Sequence, residues 1–124
     1  MTGEEEFGFK ELIVWRRAID FAKQVINIID KINSDRKHYR ILEQTEAAAT
    51  SVAANIAEGK GRFSRKEFKQ FLYIARGSIY ETITFLNIMK ELSWLSAEEV
   101  YELEKEGLAL NKMLNSLINK LKTD

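Results

Sequence analysis

The sequence predicts an all-α protein, an antiparallel up-down-up-down four-helix bundle. Three observations lead there. The 124 residues include no proline, so nothing in the covalent chain interrupts a long helix. Apolar residues recur every three or four positions in four long segments. Short clusters of helix-stopping and helix-starting residues separate those segments. Helices of roughly 20 to 29 residues are about 30 to 44 Å long, and short joints turn each one back along its predecessor.

Helix one is expected from Leu12 to Ile32, with Leu12, Trp15, Ile19, Ala22, Val25 or Ile26, Ile29 and Ile32 on its buried face. Asn33-Ser34-Asp35 then supplies breakers and cap formers. Helix two is expected from Arg36 to Glu58, burying Ile41, Thr45, Ala48 or Ala49, Val52 and Ile56. Gly59 fits a left-handed stop, and Gly61 allows a second unusual dihedral. Helix three starts after Ser64, because Ser64-Arg65-Lys66-Glu67 is a capping box, and runs to about Leu92. Helix four carries the same signal, Ser96-Ala97-Glu98-Glu99, and runs to about Leu121 over Val100, Leu103, Leu110, Leu114, Leu117 and Leu121. Gly107 lies inside it and costs about 1 kcal/mol relative to Ala unless a neighbour packs close. The domain is thus residues 10–122, preceded by a loose segment, residues 1–9.

Helix three carries two apolar stripes. One is Phe68, Leu72, Ala75, Ile79, Ile83 and Leu86; the other is Phe71, Ile74, Ser78, Phe85, Ile88 and Leu92. Helix two adds small residues, Ala47, Ala48, Ala49, Ala53, Ala54 and Ala57, which permit close approach. A helix apolar this far round is central in its bundle or buried against another subunit, and the surplus predicts a homo-oligomer.

Composition narrows the function. Hydrophobic residues are 45% and charged residues 31%, a balance that sets aside disordered and membrane-spanning classes. Nineteen basic residues balance nineteen acidic ones, which argues against a protein that coats nucleic acid over its whole surface. Without cysteine there is neither disulfide nor thiolate metal site. No apolar run is long enough for a bilayer, and Met1–Phe9 is acidic without an apolar core, so the expected location is the cytoplasm.

The motifs point away from catalysis and cofactors. His38 is the single histidine, in a lone Asp35-x-x-His38, and no Glu-x-x-His pair exists for a di-iron bundle. Gly77-Ser78 sits within a helix rather than at a nucleophile elbow, and close packing is its expected role. Glu58 and Glu81 lie near apolar stripes and are the acids to watch, with an ion pair or hydrogen bond the plainer expectation. Gly59-Lys60-Gly61-Arg62-Phe63-Ser64 lacks the spacing and the preceding strand of a P-loop, so it reads as a turn between helices.

Charge is unevenly spread. From Lys60 to Arg76, six basic residues face one acid, a local +5; from Glu98 to Glu106, five acids face one lysine, a local −4. Lys66, Lys69, Tyr73, Arg76 and Tyr80 recur at three- and four-residue steps on one face of helix three. Basic side chains interleaved with aromatics can hold phosphates and stack bases. Arg65 and Lys66 oppose the dipole of the helix they begin. The candidate nucleic-acid-binding residues are therefore Lys60, Arg62, Arg65, Lys66, Lys69, Tyr73 and Arg76. A solvated face with rim tyrosines is the competing reading.

Several blocks resemble a known family. They are Leu12, Val14, Trp15 and Ala18; Gln44, Ala48, Ala49 and Ser51; Asn55-Ile56-Ala57-Glu58-Gly59 with Gly61-Arg62; Ser64, Glu67-Phe68, Phe71-Leu72, Ala75, Gly77-Ser78 and Glu81; and Met113-Leu114 with Leu117-Ile118. From Phe9 to Lys122 the chain is similar to the bacterial four-helix-bundle proteins encoded by intervening sequences of 23S rRNA genes, also called ribosomal-protein-like. A related group is the accessory variability determinant of diversity-generating retroelements, whose members are strongly basic and associate with a reverse transcriptase and its RNA. The resemblance implies a four-helix bundle and a homopentamer, and no catalytic residue. Where relatives often place two arginines, this chain has Glu46 and Ala47; Ala53 replaces a proline, and Asn33-Ser34 replaces Phe-Pro. These departures place it nearer the rRNA-encoded branch. The expected function is non-enzymatic and cofactor-free: binding of RNA or a ribonucleoprotein through the Lys60–Arg76 face, or, as the alternative, a protein–protein adaptor or structural homo-oligomer without nucleic acid.

Overall fold

The serines that mark two helix starts do start helices. Ser96 Oγ accepts from the Glu99 backbone N–H at 3.0 Å while the Glu99 carboxylate accepts from the Ser96 N–H at 2.9 Å, a complete capping box. Ser64 Oγ accepts from the Glu67 N–H at 3.1 Å, but the Glu67 carboxylate takes the Ser64 hydroxyl, at 3.2 Å, instead of reaching the backbone. The computed structural model describes residues 12–32 and 39–121. In them α1 is Ile13–Asp30, α2 Tyr39–Lys60, α3 Arg65–Glu91 and α4 Ala97–Lys120. The expected start of helix two, residues 1–9, and His38 lie outside the described residues.

Residue pairs give the directions. Ser51 of α2 meets Ser78 of α3, and Gly59 meets Phe68 and Phe71, so advancing along α2 retreats along α3. Asn87, Tyr80 and Arg76 of α3 meet Glu104, Asn111 and Asn115 of α4 in the same opposed order. Arg17 of α1 meets Glu106, while Leu12–Val14 border Met113–Lys120. With α1 also packed on α2, the four helices close an antiparallel square.

The core differs in places from the stripes that spacing suggests. In α1 it is Val14, Ala18, Phe21, Ala22, Val25 and Ile29; Leu12, Trp15, Ile19 and Ile32 flank it half-buried. The apolar sector of α1 is wide, and Phe21, almost wholly buried, sets which edge points inward. Ile41, Ile83, Leu117 and Leu121 are likewise flanking, with Met89 and Ile118 in the core. Of the second α3 stripe, Ser78 is buried, Phe71 and Phe85 are half-buried, and Ile74, Ile88 and Leu92 are exposed.

Gly59, Gly61 and Gly77 act otherwise than expected, while Gly107 has the close neighbour that its place in a helix calls for. Among the described residues no glycine has positive φ. Gly59 is a buried helical residue, and a Cβ on it would lie 2.7 Å from Phe71 Cβ and 2.9 Å from Phe68 Cδ1. Its role is close approach between α2 and α3, beside Ala48, Ala49 and Ala53, which are buried. Gly107 is close-packed, its absent Cβ 3.3 Å from Ile83 Cδ1 and 3.4 Å from Ile79 Cγ2. Gly77 is exposed, with nothing within 4 Å of a Cβ, so it packs against nothing. Gly77→Ala is therefore expected to stabilise the protein by about 0.5–1 kcal/mol in urea denaturation, since Ala restricts the unfolded chain and meets no clash.

The left-handed residue is Ser93, φ 65°, at the end of α3. The Trp94 N–H donates to Met89 O and the Ser93 N–H to Lys90 O, both at 2.9 Å, the pair of bonds that defines a Schellman stop. Left-handed geometry costs an L-residue about 1–2 kcal/mol, of which glycine's greater unfolded-state freedom would return about half. Ser93→Gly is expected to raise the urea midpoint by an amount equivalent to roughly 0.5–1 kcal/mol.

Ser78 closes a polar chain inside the α2–α3 contact. Asn55 Nδ2 donates to Ser51 Oγ at 2.9 Å, Ser51 and Ser78 share a hydrogen bond of 2.8 Å, and Ser78 Oγ donates to Ile74 O at 3.1 Å. Ser78 has one hydroxyl hydrogen, already used on Ile74, so Ser51 is the donor to Ser78.

Candidate nucleic-acid interface

The end of the bundle where α2 stops and α3 starts gathers Lys60, Arg62, Arg65, Lys66 and Lys69. Residues 60–67 form an exposed crest there, with Phe63 wholly in solvent. The turn is made by Gly61 N–H to Ala57 O and Glu58 O and by Arg62 N–H to Gly59 O.

The seven candidates divide into two groups. Lys60 and Arg62 belong to the α2 side. The Lys60 ammonium lies 5.9 Å from the Phe68 ring centroid, and the Arg62 guanidinium lies 4.8 Å from that of Phe71. Arg62 also pairs with Glu58 at 2.6 Å. Glu58 is thus an exposed ion-pair partner, and Glu81 is exposed as well, so neither acid sits in an enclosed site.

The other group follows the seam between α3 and α4. Lys66, Lys69, Tyr73, Arg76 and Tyr80 occupy successive turns on that side of α3. Arg76 donates to Asn115 Oδ1 of α4 at 2.8 Å and lies 4.9 Å from the Tyr73 ring centroid. The next step along the seam is Asn111 Nδ2, 3.5 Å from the Tyr80 hydroxyl. Arg65, at the first position of α3, is exposed beside them. The guanidinium of Arg76 is thereby held near the Tyr73 ring and tied to an amide on the opposite helix.

Sequence reasoning did not find Asn111 and Asn115. Their i,i+4 spacing on α4 was the available signal, but only packing shows that they face this row of α3. The acidic segment Glu98–Glu106 begins at the far end of the bundle, where Glu99 is engaged in its capping box; further along α4, Glu106 pairs with Arg17 near the start of α1. Among the described residues no three His, Cys, Asp or Glu side chains group to hold a metal. No described helix is long and apolar enough to cross a membrane.

Comparison with known proteins agrees with the fold. A crystal structure from Bacteroides thetaiotaomicron VPI-5482, described as a protein with unknown function from the S23 ribosomal protein family, superposes with a TM-score of 0.79 at 25% identity, covering 86% of this chain and 98% of that one. No curated protein matches. The profile described as 23S rRNA-intervening sequence protein matches residues 10–116, all four helices nearly to the end of α4. With the fold, the superposition and the profile in accord, the chain belongs to the 23S rRNA-intervening sequence protein family.

Proposed function

We propose that this chain is a non-enzymatic cytoplasmic protein that binds RNA or a ribonucleoprotein through the basic face from Lys60 to Arg76. One observation carries the reading: the row Lys66, Lys69, Tyr73 and Arg76 along the α3–α4 seam. No described residue forms an ion pair with Lys66 or Lys69, so both ammonium groups are open to a phosphate. Arg76, hydrogen-bonded to Asn115, presents its guanidinium beside Tyr73, a residue 40% exposed. Family membership, with its link to 23S rRNA genes, supports an RNA partner.

The test is anisotropy of a labelled structured RNA at low and near-physiological salt. Each phosphate neutralised should contribute about −0.7 to −0.9 to the slope of log affinity against log salt. Binding with a flat salt dependence, or none at low salt, would sink the reading.

The alternative, an adaptor or structural homo-oligomer, rests on Ile74, Ile88, Leu92, Tyr101 and Leu108, all at least 41% exposed. The resemblance implies a pentamer, for which sedimentation should give about five times 14.4 kDa. A sedimentation mass equal to one chain would remove the homo-oligomer and leave the adaptor.

A further inference from the structure

The α3–α4 seam does not end at Tyr80. Beyond it opens a trough of 510 Å³, within the size range of small-ligand pockets. Ile79, Ile83 and Gly107 form its floor, and Tyr80, Tyr101 and Leu108 line it while remaining 56–58% exposed. Tyr80 belongs to both the basic row and the trough. From Lys66 to Tyr80 the row climbs about 21 Å along α3.

We infer that this trough is a base pocket for single-stranded RNA, receiving one unstacked base whose edge carries N–H donors, guanine foremost. The inference rests on the RNA reading above and names what the strand does after it leaves the lysines. Its physical basis is the change in chemistry along the seam. Lys66, Lys69 and Arg76 suit phosphate. The trough instead holds the carboxylate of Glu104, with Asn87 Nδ2 donating to its Oε1 at 2.7 Å. Lys105, the basic residue in the lining, is tied to Glu102 at 3.2 Å and lies 5.0 Å from the Tyr101 ring centroid. A fixed carboxylate repels a phosphate but accepts from the N–H groups of a base, and guanine offers two side by side. Asn111 Oδ1 is buried at the Tyr80 end without a hydrogen-bond donor. Aromatic walls supply the stacking that an unpaired base loses on leaving its strand.

The experiment has two arms on the whole protein. Guanosine, adenosine, cytidine and uridine 5′-monophosphates are titrated while the Gly107 amide resonance is followed by NMR. Hexauridylate and the same hexamer with one guanosine are compared by anisotropy, for wild type, Tyr80→Ala, Glu104→Gln and Lys66→Glu/Lys69→Glu. Thermal melts confirm folding; Tyr80 is 57% exposed and outside the core. The guanosine hexamer should bind about tenfold tighter, a preference that Glu104→Gln abolishes, while Tyr80→Ala weakens it by about tenfold without changing the salt slope. Loss of binding in the lysine variant, with Tyr80→Ala and Glu104→Gln unchanged on every hexamer, overturns the pocket and leaves the phosphate row standing. A Gly107 shift with guanosine monophosphate, together with an unaffected lysine variant, keeps the pocket and removes the phosphate row. If no nucleotide moves Gly107 and the resonance instead shifts with protein concentration, a second copy fills the trough and the inference is wrong.

Discussion

Gly59→Ala is expected to destabilise the protein by about 1–3 kcal/mol, although alanine is the better helix former by about 1 kcal/mol. The sign follows from what the new methyl would meet. Phe71 Cβ at 2.7 Å is anchored to its own backbone, and Phe68 O at 3.3 Å is backbone itself, so neither can yield without moving α3. Opening the α2–α3 distance would also stretch the Ser51–Ser78 hydrogen bond of 2.8 Å. Urea denaturation of Gly59→Ala beside Gly77→Ala is the decisive comparison, because the two carry the same substitution in helical segments. One should fall and the other rise. Equal effects would show that propensity, not the close approach, decides both.

The second large effect concerns the basic face. Lys66→Glu/Lys69→Glu should lower RNA affinity at low salt by about tenfold or more and reduce the salt slope by about 1.4–1.8, the contribution of two phosphates. Stability should move the other way. Lys66 sits in the first turn of α3, where its charge opposes the helix dipole, and a glutamate there gains about 0.3–1 kcal/mol. Weaker RNA binding in a protein that melts higher would separate a binding role from a folding role. Unchanged affinity would make the face ordinary solvated surface and favour the oligomer alternative.

The candidate site was partly legible in the sequence. The row from Lys66 to Tyr80 could be read because it lies on one helix, where three- and four-residue steps fix the face. Lys60 and Arg62 were grouped with it by proximity in the chain, yet packing against Phe68 and Phe71 puts them on the α2 side of the crest. The partner of Arg76 could not be read, since Asn115 is 39 positions away and only the antiparallel return of α4 brings it near.

By itself the sequence determined the number of helices, their approximate ends and the places where α3 and α4 begin. These depend on local physics: apolar period, absence of proline, and Ser oxygens that satisfy the first free N–H groups. Only the tertiary structure decided which edge of a broad apolar sector faces inward, as with Phe21 over Trp15, because packing volume selects among rotations that periodicity leaves equivalent. It also decided what each glycine is for. Gly59 and Gly107 admit neighbours from α3, Gly77 admits nothing, and the left-handed turn falls to Ser93. A glycine is one hydrogen in the sequence, and its role is defined by the atoms that come to lie opposite it.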